Sequence, residues 1–420
     1  MPTVVLIGTL DTKGTEYAFL RQRLREHGCE VVLVDAGVLG EPQTVPDVTR
    51  EAVARAAGVE LAELVARADR GYAIATMARG ATAVVQELFQ AGRLHAILAL
   101  GGSGGSAIAT AAMRALPIGV PKLMVSTLAS GDTRPYVGAS DIAMLYPVVD
   151  IAGINRISER ILTNAAAAIA GMAQAYETYQ PTVPSKPLVA ATMFGVTTPC
   201  VTEARQELEA RGYEVLVFHA TGTGGQAMEG LVKGGFLAGV LDITTTELAD
   251  ELVGGVLSAG PERLEAAGAA GIPQVVSLGA LDMVNFGPRD TVPERFRQRR
   301  LYQHNPTVTL MRTTPEECAE LGKIIAQKLN AARGPVAVFI PLRGFSAIDV
   351  EGKPFYDPEA DRALIEALKA NLAPHVEVHE WETDINDPAF ARAMAARLDE
   401  LIRAQATERT LSPAPEGETS

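Results

Sequence analysis

The chain has 420 residues, enough for two or three domains that each bury a core. Hydrophobic residues make up 47% and aromatic residues only 5%, which is typical of helix-covered parallel sheets built from Ala, Val, Leu and Ile. The formal net charge of −13 argues against proteins that wrap nucleic acid and against proteins that bind an anionic membrane surface.

The first half of the chain alternates apolar runs with helical segments. Strands are predicted at 3–8, 30–34, 95–100 and 122–126. Helices are predicted from the end of the polar loop 9–14 to about 24, over about 49–91 with a break near 69–71, after the loop 101–106, and over about 159–176. This alternation predicts an open α/β sheet.

The second half follows a segment, Tyr176–Pro187, that contains three prolines and is predicted to be a linker. Strands are predicted at 188–191, 214–218, 237–241, 274–278, 307–311 and 336–340, with helices at 201–210 and about 390–404. The predicted domains are therefore 1–177 and 186–405, and residues 406–420 are predicted to be a disordered tail.

The two halves contain the same pattern twice. EHGCEVVLVDAG at 26–37 aligns with ARGYEVLVFHATG at 210–222, and the glycine-rich loop 101–105 then falls on 243–247. Three successive segments match in the same order. This predicts an α/β fold of two tandem Rossmann-like, doubly wound parallel-sheet domains related by internal duplication, with a ligand in the cleft between them.

The cysteines and the N-terminal sequence indicate the cellular compartment of the protein. Cys29, Cys200 and Cys318 are too far apart for a metal spacing or a disulfide framework, so buried free thiols in a reducing environment are expected. MPTVVLIG lacks a basic region, and no apolar run approaches the ~18 residues that cross a bilayer. A cytoplasmic protein without a membrane, nucleic-acid or metal site is predicted.

The motif GGSGGS is the sharpest local signal. It follows an apolar strand and precedes a helix, where glycine backbone and free N–H groups favour an anion. The predicted phosphate-contacting residues are Gly101, Gly102, Ser103, Gly104, Gly105 and Ser106. The motif is neither a P-loop nor a GxGxxG fingerprint. Close packing between helix and strand is the alternative explanation.

Two further positions in the first half are nucleotide candidates. In GTLDTKG, Lys13 offers a cation to a phosphate, and Asp11, next to Thr12, offers a carboxylate to a ribose hydroxyl or metal. Asp35 ends the second strand, where nucleotide-binding sheets often place a ribose-binding acid. The alternatives are helix capping with a surface lysine, and a turn aspartate.

The second half carries polar residues at the corresponding strand ends. His219 lies beside the Gly-rich turn HATGTGG, and Glu247 and Asp282 are carboxylates in nearby loops, so these three are predicted acid–base groups. The predicted substrate-binding residues are Thr244, Thr245, Thr246 and Asn285. A capping box between Thr244 and Glu247 is the alternative explanation for that segment.

Arginines at 289, 295, 297, 299 and 300 form a basic cluster in this acidic chain. A solvated helix face is the simplest interpretation. An anion clamp or a subunit contact is the alternative.

With these motifs identified, the chain resembles the ATP-binding domain family of the tomato protein that inhibits tobamovirus replication. The segments that carry the resemblance are GTLDTKGTE at Gly8, GGSGGS at Gly101, STLASGD at Ser126, PYVGASDIAM at Pro135, VVDIAGIN at Val148, TMFGVTTPCV at Thr192, FHATGTGGQAMEGL at Phe218, LDITTTELADELVGG at Leu241, GALDMVNFG at Gly279 and HNPTVTLMRTT at His304. The resemblance covers about residues 3–400. Ser106 stands where the family is expected to carry threonine.

The resemblance implies an ATP-binding α/β protein of two subdomains that forms a homodimer or a higher homo-oligomer. The tomato protein carries a further barrel-like domain that has no counterpart in this sequence. The expected cofactor is ATP, with or without Mg²⁺. The leading hypothesis is an ATP-dependent metabolic enzyme that acts on a small carboxylate-like metabolite. The alternative is an ATP-binding regulatory protein without turnover.

Overall fold

The computed structural model describes residues 1–181 and 186–411, the last four as backbone only. The chain divides into two compact units, Met1–Val183 and Pro184–Ser420, here called unit 1 and unit 2. Cys29, Cys200 and Cys318 are all buried free thiols, as predicted. No helix in the described ranges is both long enough and apolar enough to cross a membrane.

Unit 1 alternates strands and helices along the chain. Its strands are β1 (Thr3–Gly8), β2 (Glu30–Asp35), β3 (Ala96–Gly101), β4 (Lys122–Ser126) and β5 (Ala143–Leu145). Its helices are α1 (Leu10–Glu26), α2 (Arg50–Ala56), α3 (Leu61–Arg67), α4 (Arg70–Gln90), α5 (Ser103–Arg114), α6 (Arg134–Val137) and α7 (Arg156–Thr178). The helical region predicted over 49–91 is therefore three helices. Gly58, with φ +77°, lies between the first two.

The strands of unit 1 form one parallel sheet in the order β2-β1-β3-β4-β5. Successive side chains point to opposite faces, and each face is covered. Val5 and Ile7 pack in one hydrophobic cluster, and Val4 and Leu6 pack in another. Because both faces are buried, the strands appear in the sequence as continuous apolar runs.

Unit 2 repeats this plan and adds an insertion. Its strands are β6 (Leu188–Met193), β7 (Glu214–His219), β8 (Gly239–Thr244), β9 (Gln274–Gly279), β10 (Met283–Phe286), β11 (Leu301–Asn305), β12 (Val308–Arg312), β13 (Val336–Pro341) and β14 (Glu377–Trp381). Its helices are α8 (Thr198–Ala210), α9 (Thr223–Lys233), α10 (Thr246–Val253), α11 (Ala266–Ala270), α12 (Pro315–Asn330), α13 (Pro358–Asn371) and α14 (Pro388–Leu411).

The main sheet of unit 2 is parallel, in the order β7-β6-β8-β9-β13-β14. Its first four strands have the same relative order as β2-β1-β3-β4, so the structure confirms the duplicated doubly wound fold. The glycine-rich loop after β3 and the threonine segment after β8 lie at equivalent strand ends, since helices begin at Ser103 and Thr246.

The structure also corrects the predicted elements of unit 2. The run 307–311 was expected in the parallel sheet, but β12 belongs to a separate antiparallel sheet in the order β10-β12-β11. The final helix continues to Leu411. Residues 406–411 of the predicted tail are therefore helical, while 412–420 lie outside the described residues.

The strand order of unit 1 reverses at β1, because β2 lies on one side of it and β3 on the other. In open α/β sheets, the crevice at the carboxyl ends of the two strands at such a reversal is the usual ligand site. Here the crevice is bordered by the loops after β1 and β3, which carry GTLDTKG and GGSGGS.

Tyr17 on α1 joins the ends of these two strands. Its buried hydroxyl donates to the Ile7 carbonyl at 2.5 Å and accepts the N–H of Leu100 at 3.0 Å. A Cβ on Gly8 would lie only 2.0 Å from this hydroxyl, so the bridge requires glycine there. The Tyr17 hydroxyl thus links the ends of β1 and β3 at the base of the crevice.

We predict that Tyr17→Phe lowers the free energy of unfolding by about 1–3 kcal/mol, because it leaves the buried N–H of Leu100 without an acceptor. Urea denaturation followed by circular dichroism measures this change. Tyr179→Phe is the matched control, since Tyr179 is exposed. Equal stability of the two variants would contradict the bridging role.

Candidate functional site

The glycine-rich loop joins β3 to α5 with a tight backbone approach. Gly102, at the N-cap, has an extended conformation (φ −87°, ψ −155°) and no side chain that could accept an N–H of the first helical turn. A Cβ on Gly101 would lie 3.2 Å from the Cα of Gly105. Among the described residues, no acceptor receives the N–H groups of Ser103, Gly104 or Gly105, so three donors at a helix start are free for an anion.

The two serines of this loop have different environments. Ser103 is exposed, so its hydroxyl is accessible to a ligand. Ser106 is fully buried, and its Oγ lies 2.7 Å from the Oγ of Ser126 at the end of β4. The Ser126 hydroxyl also accepts the N–H of Leu128 at 3.1 Å. Ser106 therefore fastens α5 to β4 and does not contact a phosphate in this arrangement.

The loop after β1 presents one accessible side chain and one engaged cation. Thr12 is exposed, with its Oγ1 2.8 Å from the Oγ1 of Thr9. Lys13 is half-buried, and its ammonium donates to the carbonyl of Ile151. The predicted phosphate cation thus already has a partner within unit 1.

The two predicted ribose- or metal-binding acids support loop backbones. The Oδ2 of Asp11 accepts the N–H groups of residues 39–40 at 3.1 and 3.3 Å. Asp35 is fully buried, and its Oδ1 accepts the N–H groups of Leu10 and Gly37 at 3.1 and 2.8 Å. Burial raises the pKa of Asp35. These carboxylates position the crevice loops, and Asp35 is out of reach of a ribose.

Arg70 is a candidate that the sequence interpretation missed. It is the exposed first residue of α4, and its Nη2 lies 3.8 Å from where a Cβ on Gly104 would stand. The neighbouring Asp69 instead caps α4 by accepting the N–H of Tyr72 at 3.0 Å. A cation at the start of a helix is unfavourable because it faces the positive end of the helix dipole. An arginine in this position of a predicted helix could therefore have indicated a ligand-binding role.

In unit 2, Glu247 is fully buried in an ion-pair network. Its Oε1 accepts the N–H groups of Gly222 and Gly225 at 2.7 and 3.1 Å, at the start of α9. Its Oε2 accepts the Nε of Arg263 at 2.7 Å, and Arg263 also pairs with Asp242. Burial raises the pKa of Glu247, and Arg263 acts in the opposite direction. Glu247 fastens α9 within the fold and offers no acid–base group to solvent.

The threonines after β8 are also internal. Thr244–Thr246 are fully buried, and each hydroxyl has a partner within unit 2. The partners are, in chain order, the Thr197 hydroxyl at 2.8 Å, the Ser277 carbonyl at 3.1 Å and the Met283 carbonyl at 3.5 Å. The alternative capping box is absent as well, because α10 has no side-chain cap at its start.

Asn285 serves as a connector between β10 and α10. Its backbone N–H and its Nδ2 donate to the two carboxylate oxygens of Asp250, at 2.8 and 2.6 Å. Both residues are fully buried, and burial raises the pKa of Asp250 to about 7. The predicted substrate contact is thus a buried link.

Asp282 belongs to a second buried network, centred on Arg312 of β12. Arg312 pairs with Asp349 at 3.3 Å and with Asp361 at 2.5 Å. The Oδ2 of Asp282 accepts the hydroxyl of Ser346 at 2.8 Å, and its Oδ1 has no hydrogen-bond partner in the described part of the chain. Burial raises the pKa of all three carboxyls. The guanidinium of Arg312 thus ties β12 to Asp349 and to Asp361 of α13, and it also donates to the backbone carbonyl of Asp282 at 3.4 Å.

His219 is the one predicted acid–base residue that lies at the surface. It ends β7, and its ring packs edge-on against Phe194, which follows β6, with centroids 5.9 Å apart. The structure therefore separates His219 from Glu247 and Asp282, which are buried in two different networks.

The basic cluster is divided between paired and solvent-exposed side chains. Arg299 forms a bidentate pair with Glu317 at 3.0 and 2.8 Å, and Arg300 lies 3.7 Å from Asp357. Arg289 and Arg295 are exposed on short 3-10 turns, and Arg297 is exposed directly after the second of these turns. Within the described residues, no group of three or more His, Cys, Asp or Glu side chains could hold a metal ion.

Comparison with known proteins identifies relatives along the whole chain. The N-terminal domain of the uncharacterised protein family UPF0261 matches residues 2–178, and its C-terminal domain matches residues 186–402. A UPF0261 protein of Clostridium tetani is 54% identical over 401 residues, covering 95% of this chain and 98% of the relative. A Rhizobium meliloti member is 49% identical, covering 96% and 99%.

A plant protein is also similar. The tomato "ToMV susceptible protein tm-1(GCR26)" is 42% identical over 420 aligned positions, which cover 95% of this chain and 56% of the tomato protein. The tomato protein is therefore much longer than the region that it shares with this chain.

The Arg312 network predicts that unit 2 loses stability as the pH rises. The native pKa values are about 6 for Asp282, about 7 for Asp361 and about 9 for Asp349, all above the ordinary value of 3.8. The native state therefore binds more protons than the unfolded state. The stability that the protonated carboxyls give to the native state is fully present below pH ~4. It is lost as the pH rises through the native pKa values of the three carboxyls.

Asp349→Asn removes one of these protons and should flatten the decline between pH 5 and 8 by about 1 kcal/mol per pH unit. Trp381, the single tryptophan, lies on β14 and reports urea unfolding of unit 2 by fluorescence. Asp290→Asn, at an exposed position, is the control. Parallel pH profiles for the wild type and Asp349→Asn would refute the assignment.

Proposed function

We propose an ATP-binding function for this chain, which belongs to the uncharacterised protein family UPF0261. The proposed site is the crevice of unit 1 at the carboxyl ends of β1 and β3. The observation that carries it is a set of three N–H donors, at Ser103, Gly104 and Gly105, that have no acceptor among the described residues and lie at the start of a 12-residue helix. Such donors and the helix dipole favour a phosphate.

Arg70 supports the same assignment. Its exposed guanidinium stands beside Gly104 and has no ion pair among the residues described. Guanidinium groups bind phosphate through charge-assisted hydrogen bonds. Ser103 and Thr12 add exposed hydroxyls at the two loops of the crevice. The chemistry of this donor set fits the phosphates of ATP, whether or not Mg²⁺ accompanies it.

One observation favours an ATP-binding regulatory protein without turnover over an ATP-dependent enzyme. Glu247 and Asp282 are fully buried and engaged within unit 2, so neither is available as an acid or base. His219 remains accessible. An ATP-dependent reaction on a small carboxylate stays a prediction, and it would have to use His219 or groups outside the predicted set.

We also propose that the chain forms a homodimer through the exposed face of α7. Ile157 and Met172 are exposed apolar side chains on this helix, and Ala168 and Gly171 are exposed between them. Small residues let a second helix approach closely, and exposed apolar side chains mark contact surfaces.

The nucleotide site is tested by Gly104→Asp and Arg70→Gln. Gly104→Asp places a carboxylate among the phosphate donors, and Arg70→Gln removes a cation. Each should weaken ATP binding by at least about tenfold, or ~1.4 kcal/mol, measured by isothermal titration calorimetry with and without Mg²⁺.

Two matched controls accompany these variants. Gly195→Asp makes the same change at an open position after β6 in unit 2, where a Cβ meets nothing within 4 Å. Arg67→Gln removes an arginine that stacks on Tyr72. If only Gly195→Asp lost affinity, the site would move to unit 2. Unchanged affinity in folded Gly104→Asp would remove the glycine-rich loop from the site.

The dimer is tested by multi-angle light scattering at micromolar concentration. We expect twice the 44.3 kDa mass of one chain for the wild type, and a shift toward one chain for Ile157→Glu, because a charge would be buried in the contact. Val217→Glu, at an exposed apolar position on β7, is the control. A wild-type mass of a single chain would contradict the proposal.

A further inference from the structure

The segment between β5 and α7, residues 146–155, has a strained backbone and is here called the 146–155 loop. Val148 has φ +66°, and the N–H of Val149 donates to the carbonyl of Pro147 at 2.7 Å. This bond across one residue forms a γ-turn of the rare form with positive φ. A β-branched residue in that region costs of order 1–3 kcal/mol and persists only when surrounding contacts hold it.

Two side chains of α1 supply such contacts. The ammonium of Lys13 donates to the carbonyl of Ile151, and the Oε1 of Glu16 accepts the N–H of Gly153 at 2.7 Å. Both Glu16 and Ile151 are buried. The loop is thereby tied down on its C-terminal side, just beyond the strained turn at Val148.

Lys13 also belongs to the crevice. It lies five residues after Gly8, the last residue of β1, where the backbone of α1 departs from helical geometry (φ −128°, ψ 17°). The paired strand β3 leads into the free N–H donors of α5. Lys13, whose ammonium holds the Ile151 carbonyl, therefore belongs to the loop after β1, and the free donors belong to the loop after the neighbouring strand β3.

We propose that a polyanionic ligand in the crevice takes the Lys13 ammonium from Ile151 and releases the 146–155 loop. The inference rests on the proposed nucleotide site. The bond from the Lys13 ammonium to the Ile151 carbonyl has one charged partner, whereas a bond to a phosphate oxygen has two of opposite sign, so Coulomb attraction favours the phosphate. The bond from Gly153 to Glu16 then remains as the single α1 side-chain tether named above. The weaker restraint lets Val148 leave its strained conformation, which lowers the free energy of the ligand-bound form.

The consequence is a ligand-dependent apolar surface. Tyr146, Val148 and Ile154 are exposed apolar side chains of this loop, and Ile151 beneath them is only 2% exposed. Movement of the loop uncovers Ile151 and rearranges the other three. ATP occupancy would thus change the surface that unit 1 offers to another macromolecule, which is the output that a regulatory nucleotide-binding protein needs.

Hydrogen–deuterium exchange of the full chain, followed by mass spectrometry, tests the inference. Without ATP, Lys13→Met should exchange roughly tenfold faster than the wild type across 146–155, because the ammonium is lost and the aliphatic stem is kept. With saturating ATP, the wild type should approach the rate of Lys13→Met. Lys323→Met, which removes an exposed lysine of α12 paired with Glu320, should leave both rates at their wild-type values.

The outcomes separate the two proposals. ATP binding by calorimetry with unchanged or slower exchange at 146–155 would overturn the release and leave the nucleotide site intact. Absence of ATP binding would overturn the nucleotide site, and the release with it. Equal exchange of Lys13→Met and the wild type without ATP would show that Lys13 does not hold the loop, and would overturn the release on its own.

Discussion

The bridge made by the Tyr17 hydroxyl is the contact on which the geometry of unit 1 depends. It joins the carbonyl of Ile7 on β1 to the N–H of Leu100 on β3, at the two strands where the strand order reverses. The chain segments that follow these two strands run to opposite sides of the reversal point. A crevice therefore opens between them at the carboxyl ends of the strands. The bridge fixes the floor of that crevice, and the glycine-rich loop and α5 start from it.

Unit 2 uses the same strand order for its first four strands and carries buried networks of arginine and acidic side chains. Arg263 gathers Asp242 and Glu247, while Arg312 gathers Asp349 and Asp361. Breaking such a pair would leave an uncompensated buried charge, which is strongly destabilising. Unit 1 therefore keeps free donors at the start of α5, whereas unit 2 buries the polar side chains that follow β8 and leaves His219 exposed at the end of β7.

The sequence predicted the fold well because buried parallel strands appear as apolar runs and the duplication doubles the signal. It could not assign 307–311 to the antiparallel sheet, since a five-residue apolar run does not identify its partner strand. It also could not show that Glu247 and Asp282 are buried. Glu247 is paired with Arg263, and Asp282 lies near Arg312. Tertiary contacts bring these residues together, and the local sequence around a loop carboxylate does not show whether the carboxylate is paired or free.

The phosphates of a nucleotide are proposed to bind at the start of α5. A crystal structure of the chain with ATP and Mg²⁺ tests this most directly. Phosphate oxygens are expected within hydrogen-bond distance of the N–H groups of Ser103, Gly104 and Gly105, with Arg70 turned toward them. Nucleotide bound only at the strand ends of unit 2, or a glycine-rich loop without ligand at saturating ATP, would contradict it.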